Sequence, residues 1–287
     1  MRSVYKKELK GYFTNMTGYV ITAGILLFAG IFTIANNFIY GYPKFEYAVS
    51  PMGLIYLLAG VFLTMGSFSS ERRRKTDQLL FTSPASVSGI VMGKFFAMFT
   101  VFAIPTLIMC AYPLILSLYG TVSFVSAYSA IFTLLMLSAA VTAIGMFISS
   151  LTENIIISAA ASLGTLLLIY FFESLASLIP ATASASFIAF ALAIILAALI
   201  VYAMTHSAAV SAIVLIVLEA ALVILHVVDG TLLEGVFPAL LQSLALFSRF
   251  SAVTEGMFDL TAVVLFATIA ALFCFLTRES LEKRRWS

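Results

Sequence analysis

Long blocks of apolar residues, separated by short polar segments, make up most of this chain. The blocks are about 20 residues long, the length that a helix rising about 1.5 Å per residue needs to cross a hydrocarbon core. They lack the alternating polarity of a transmembrane β-strand, as the run from Ile188 to Tyr202 illustrates. The pattern predicts eight membrane spans, near residues 19–39, 51–69, 93–118, 124–149, 155–178, 186–205, 207–228 and 258–277.

Composition supports the same fold class. Hydrophobic residues make up 62% of the 287 positions and charged residues only 10%, whereas soluble domains carry about 25% charged residues. We therefore expect an all-α polytopic membrane protein that forms a single transmembrane domain over residues 1–287. The sixth and seventh blocks meet at Thr205 and His206 almost without a polar spacer, so six spans plus re-entrant segments are the alternative.

The basic residues predict the orientation, because Lys and Arg are retained on the cytoplasmic side of short loops. Thirteen of the 15 precede the first span, separate spans two and three, or follow the last span: Arg2, Lys6, Lys7, Lys10, Arg72, Arg73, Arg74, Lys75, Lys94, Arg278, Lys283, Arg284 and Arg285. An even number of spans places these segments on one side. Both termini are thus expected in the cytoplasm, with the protein in the cell membrane. The net charge of +2 is too small to indicate a nucleic-acid partner.

Residues 1–16 combine a basic character with apolar side chains at helical spacing: Val4, Tyr5, Leu9, Tyr12, Phe13 and Met16. This pattern predicts an interfacial helix whose lysines meet anionic membrane lipid. A basic tail that serves only to orient the chain is the alternative.

A second amphipathic segment covers residues 229–258, between spans seven and eight. Thr231 and Glu234 fit a capping box, and leucines and phenylalanines follow at helical spacing. We predict an external interfacial or re-entrant helix here.

The longest cytoplasmic loop is expected at residues 71–94. Four consecutive cations, Arg72 to Lys75, are followed by Leu79, Leu80 and Phe81. A short helix over 77–81 would present an apolar knob and end near Ser83 and Pro84, because the residue before a proline disfavours the helical region. The knob suits docking to a cytosolic partner, and the alternative is that the leucines lie on the membrane surface.

Three segments carry a resemblance to a known family. They are the glutamate and basic cluster followed by LLFTSPAS and a Gly-Lys, the run from Ser149 to Asn154, and SRFSAVTEGMFDL followed by a span and LEKRRW. In this order they resemble the permeases of the ABC type-2 transporter family, in particular the gliding-motility-like group. Spans six and seven are similar to an insertion relative to shorter members.

The resemblance implies a permease subunit of an ABC exporter, working with an ATPase subunit in two copies and with a second permease copy or a related permease. It implies that residues 1–16 form an elbow helix and that 229–258 close the outer end of the pathway, although a cap over the bundle fits the residues equally well. The implied ATPase-coupling residues are Glu71, Arg72, Arg73, Arg74, Lys75, Asp77, Leu79, Leu80, Ser83, Pro84, Glu153 and Asn154.

ATP and Mg²⁺ are expected on the partner, and no cofactor on this chain. Gly89 to Lys94 reads GIVMGK, which lacks the spacing and the final Ser or Thr of a phosphate-binding loop. Neither HExxH nor GxSxG occurs, which argues against an enzyme, and Cys110 and Cys274 suggest no metal site.

One alternative function rests on span seven. Glu219 lies near its middle, where a charge costs roughly 2.5–3.5 kcal/mol, and His226 follows two turns later on the same face. The pair would suit an ion-gradient-driven transporter or channel. A protonated Glu219 hydrogen-bonded within the bundle is the simpler interpretation.

Overall fold

The computed structural model describes residues 1–76, 86–205, 207–228, 233–254 and 259–285, and it is helical with no β-strand in these ranges. Six segments are long and apolar enough to cross a membrane: Thr17–Ile39, Glu46–Arg73, Val87–Leu116, Phe124–Leu151, Ile155–Leu178 and Leu260–Lys283. The predicted class, an all-α multi-pass membrane protein, is confirmed.

The chain, expected to be a single transmembrane domain, forms two compact units. Unit 1 comprises Met1–Leu168 and Leu246–Ser287, and unit 2 comprises Ile169–Ala245. Unit 1 contains α1 (Arg2–Thr14), α2 (Thr17–Thr33, continued by a π-helix at Ile34–Ile39), α3 (Glu46–Val49), α4 (Met52–Thr64), α5 (Ser69–Arg73), α6 (Val87–Met109), α7 (Ala111–Leu116) and α8 (Phe124–Leu151). The boundary between the units falls inside α9 (Ile155–Leu178). Unit 2 continues with α10 (Ala183–Thr205), α11 (Ala208–Val228) and α12 (Val236–Leu244), and unit 1 resumes with α13 (Leu246–Thr254) and α14 (Leu260–Arg285).

Helix α8 forms the centre of unit 1 and packs against α4, α6, α13 and α14. Two glycines permit its close approach to α4. A Cβ atom added at Gly145 would collide with the Thr64 side chain, and one added at Gly60 would collide with Val141. Such contacts between small residues drive helix association in lipid, where the hydrophobic effect between helices is absent.

The predicted third span begins earlier than expected. Its helix, α6, starts at Val87, where the Ser86 hydroxyl accepts a hydrogen bond from the Gly89 amide and caps the first turn. Lys94, expected at the end of the cytoplasmic loop, therefore lies two turns inside the helix. The segment between α5 and α6 is correspondingly shorter than the predicted 71–94.

Spans six and seven correspond to α10 and α11. Among the described side chains, their apolar stretches cover 183–199 and 211–225, which are shorter than the six spans above. His206, in the turn between them, lies outside the described residues. Eight spans therefore stays a prediction.

The single amphipathic helix predicted within residues 229–258 is two short helices, α12 and α13, divided at Ala245. Thr231 of the predicted capping box lies outside the described residues. Phe247 and Phe250 of α13 pack against Gly53 at the start of α4. Helix α13 thus covers one end of unit 1, opposite the end where α4 meets α5.

Candidate functional site

Basic segments meet at one end of unit 1. Helix α1 packs along the first turns of α6, where Met1 and Val4 contact the positions of Gly89 and Gly93. Ser88 of α6 and Arg278 of α14 line one cavity. The Gly89–Gly93 pair thus allows the amino-terminal helix to pack closely against α6. The three basic segments of the sequence therefore adjoin the beginning of α6.

The amphipathic pattern of α1 agrees with this packing. Val4, Tyr5 and Glu8 are half-buried on the side of the bundle, whereas Lys6 and Lys7 are exposed. The Tyr5 hydroxyl lies 3.1 Å from the Thr100 hydroxyl of α6. The helix is therefore held by a mixed apolar and polar face.

Lys94 is the central residue of this end, and its side chain is only 3% exposed. Its Nζ donates hydrogen bonds to the Glu8 carboxylate (3.1 Å) and to the Glu71 carboxylate (2.8 Å). A third bond goes to the Ser67 carbonyl oxygen at 2.9 Å, and the Phe68 ring centroid lies 5.1 Å away. We call Glu8, Glu71 and Lys94 the junction.

The junction satisfies the physical requirement for burying a cation. An ammonium group has three N–H donors, and here each has an oxygen acceptor. Without such partners, removal of the charge from water costs several kcal/mol. Because the three residues belong to α1, α5 and α6, the ion pairs connect these helices.

Tyr12 lies beside the junction. Burial, reinforced by the negative charges of Glu8 and Glu71, raises the pKa of its hydroxyl well above the usual value. The phenol therefore stays protonated, and its O–H remains a donor close to two carboxylates.

Ser149 of α8 connects a further helix to the same end. The second span is interrupted by a turn at residues 65–68, between α4 and α5. The Ser149 hydroxyl accepts hydrogen bonds from the Phe68 and Ser69 amides, both at 3.2 Å, and donates one to the Met65 carbonyl at 3.1 Å. The hydroxyl thereby satisfies backbone groups that the interruption leaves unpaired.

The predicted coupling residues after α4 divide into four groups. Glu71 belongs to the junction, and Arg72 is buried at 5% exposure. Arg73, Arg74 and Lys75 are exposed, and Lys75 ends the segment with a φ of +56°. The remaining predicted residues lie outside the described ones: Asp77, Leu79, Leu80, Ser83 and Pro84.

The second predicted coupling segment follows α8 at the same end. Glu153 is exposed. Asn154 caps α9, because its side-chain oxygen accepts a hydrogen bond from the Ile156 amide at 2.9 Å. Asn154 therefore stabilises the start of α9, a role that the sequence pattern did not predict.

The predicted intramembrane pair lies in unit 2. Glu219 is half-buried on α11 and forms no hydrogen bond or ion pair with any residue that the structure describes. The His226 backbone belongs to α11, but its side chain lies outside the described part. Within that part there is also no group of three or more His, Cys, Asp or Glu suited to a metal ion.

The sequence pattern predicted Lys94 as a basic loop residue and assigned no role at this end of unit 1 to Glu8, Ser67 or the side chains of Tyr12 and Ser149. One signal was available, because a lysine that follows Gly93 into an apolar block requires a counter-charge. The position of that counter-charge was not readable, since Glu8 lies 86 residues away. Searches for similar proteins return no matching family model, no curated protein and no solved structure.

Proposed function

We propose that this chain is the membrane-spanning permease subunit of an ABC exporter of the type-2 transporter family. It forms the substrate pathway, and a separate ATPase subunit hydrolyses ATP. The observation that carries the proposal is the junction, in which the residue leading the basic cluster, Glu71, is ion-paired through buried Lys94 to the amino-terminal helix.

The junction supports a mechanism for coupling. A force applied to the segment after α5 displaces Glu71. Lys94 and Glu8 follow, because separating a buried ion pair is costly. Ser149 transmits the same displacement to α8. A push by an ATPase on one short segment would therefore move α1, α5, α6 and α8 together.

Docking uses the exposed cations. Arg73, Arg74 and Lys75 face solvent and would meet an acidic surface of the ATPase, whereas Arg72 is buried and takes no direct part. The other predicted coupling residues, Asp77, Leu79, Leu80, Ser83 and Pro84, belong to the same proposed contact, and Glu153 adds a second one after α8. In this proposal the chain lies in the cell membrane with both termini in the cytoplasm. The complex contains two permeases and two ATPase subunits.

The test is purification of the tagged full-length chain from its native membrane, with mass spectrometry of its partners and an ATPase assay. We expect a stoichiometric ATP-binding subunit. The triple variant Arg73→Glu, Arg74→Glu, Lys75→Glu should lose that subunit.

Lys44→Glu is the matched control, because Lys44 is exposed before α3, towards the other end of unit 1. It should retain the partner. A chain that purifies alone, or a triple variant that binds the ATPase as well as the wild type, would refute the proposal.

The ion-gradient-driven transporter remains the second candidate. Half-buried Glu219, with no bonded partner among the described residues, is the observation that favours it. It predicts transport without ATP.

A further inference from the structure

A cavity of about 330 Å³ opens beside the junction, entirely within unit 1. Its polar lining includes Glu8, Tyr12, Ser67, Ser70, Glu71 and Lys94. The cavity also reaches Asn15 and Thr17, where the first span begins. The cavity therefore extends to the level at which the first candidate membrane span starts.

Two buried polar atoms of this lining lack a hydrogen-bond partner. The Glu71 Oε2 atom is buried with no hydrogen bond, while its Oε1 accepts from Lys94. The Ser67 hydroxyl is also buried without a partner, and the residue is only 6% exposed. Since buried polar groups are nearly always bonded, these atoms indicate an occupant that supplies donors.

The charge of the lining also favours a particular occupant. Glu8 and Glu71 contribute two negative charges, and Lys94 contributes one positive charge. An excess negative charge in a partly desolvated cavity attracts a cation. The exposed lysines of α1 and the exposed cations Arg73 to Lys75 compensate it only weakly, because water and salt screen exposed charges. Arg72 is buried but is not part of the lining.

We propose that this cavity binds a primary ammonium group, carried either by an ethanolamine phospholipid or by a small free amine. The three N–H donors of such a group match the free oxygen of Glu71, the Glu8 carboxylate and the Ser67 hydroxyl. A quaternary ammonium has the same charge but no N–H, so it leaves these acceptors unpaired. Because the cavity reaches the start of the first span, a lipid headgroup is a suitable source.

The proposal does not depend on the function proposed above, and its test measures stability rather than transport. The full chain is purified in detergent, and its melting temperature is followed against ethanolamine or choline at equal ionic strength. In a second arm, the chain is placed in bilayers of phosphatidylcholine with or without phosphatidylethanolamine.

We expect ethanolamine to raise the melting temperature in the detergent arm, phosphatidylethanolamine to raise it in the bilayer arm, and choline to have no effect. A response to the lipid alone assigns the site to a headgroup, and a response to ethanolamine alone assigns it to a free amine.

Two variants locate the site. Ser67→Ala removes one acceptor and leaves the ion pairs in place. The ethanolamine concentration that gives half of the rise in melting temperature should therefore increase about tenfold. Glu8→Gln should abolish the response. Glu173→Gln, at an exposed glutamate of α9, is the control and should leave it unchanged.

Three results would overturn the proposal. They are a melting temperature insensitive to both amine sources, an equal response to choline, and a response that persists in Ser67→Ala and Glu8→Gln. The first would mean that water alone fills the cavity.

Discussion

The two compact units differ in what holds their helices together. Unit 1 combines glycine-mediated contacts, buried hydroxyls and the junction of Glu8, Glu71 and Lys94. Unit 2 contains no lysine or arginine. Its described contacts include a hydrogen bond from the Ser211 hydroxyl to the Ala198 carbonyl at 2.7 Å and an edge-to-face pair of the Phe190 and Phe237 rings at 4.9 Å.

The exposure of apolar side chains follows the same division. Leu196 of α10 and Ile216 of α11 are 61% and 63% exposed, whereas Leu134 and Leu137 of α8 are completely buried. An exposed apolar surface is normal where lipid is the solvent. Unit 1 therefore has the interlocked interior through which a displacement could be transmitted, whereas α10 and α11 expose much of their apolar surface.

The strongest test of this contrast is the removal of the junction cation. Lys94→Met should destabilise the protein by about 3–5 kcal/mol, because two partly buried carboxylates lose their counter-charge. Thermal unfolding of the detergent-solubilised chain measures the loss. Adding Glu8→Gln and Glu71→Gln should recover much of it, and a single variant as stable as the wild type would show that the junction does not hold unit 1 together.

The second-largest loss of stability is expected from disrupting the close helix packing in unit 1. Gly145→Leu should cost about 1–3 kcal/mol, because the new side chain collides with Thr64 across the contact between α8 and α4. Gly164→Leu is the matched control, since a Cβ atom at Gly164 meets nothing within 4 Å. Equal unfolding temperatures for the two variants would contradict the close contact between α8 and α4.

Removing the hydroxyl of Ser149 should cause a smaller loss of stability. Ser149→Ala leaves the Phe68 and Ser69 amides without their acceptor, which should cost about 1–2 kcal/mol. Ser177→Ala, at an exposed serine that bonds only to its own helix, should change stability by less than about 0.5 kcal/mol. The same unfolding measurement compares the two variants. Equal unfolding temperatures would show that Ser149 does not connect α8 to the end of the second span.

The smallest effect is expected in unit 2. Glu219→Gln should change stability by less than about 0.5 kcal/mol and leave ATP-dependent transport intact, because Glu219 is bonded to no described residue. Substrate flux measured in vesicles, with and without ATP, shows whether transport requires Glu219. Loss of proton-coupled flux in this variant would instead favour the ion-gradient-driven transporter.

The class of fold could be predicted from local pattern, because apolar blocks of span length need no knowledge of their neighbours. The start of α6 could not be predicted in this way. Lys94 lies at a predicted span boundary and was expected in water, whereas in the structure it is buried with its partners. Those partners, Glu8 and Glu71, are 86 and 23 residues away along the chain. Such contacts are decided by how helices pack, which the one-dimensional pattern does not contain.

The division between α12 and α13 was also missed. Apolar residues continue at helical spacing through Leu244 and Phe247, so the pattern predicted one helix. The backbone nevertheless leaves the helical conformation at Ala245, where φ is −75° and ψ is 86°. Periodicity shows which face is apolar, and it does not show where a helix ends in the absence of a proline or glycine.

The turn between α4 and α5 has a consequence for hydrogen exchange. Backbone amides in a break of a helix ordinarily exchange with solvent deuterium quickly, because no carbonyl of the preceding turn protects them. Here the Phe68 and Ser69 amides are bonded to a serine that is itself completely buried. We expect their deuterium uptake to be as slow as that of an unbroken helix, which would make an irregular stretch of backbone one of the well-protected parts of the protein.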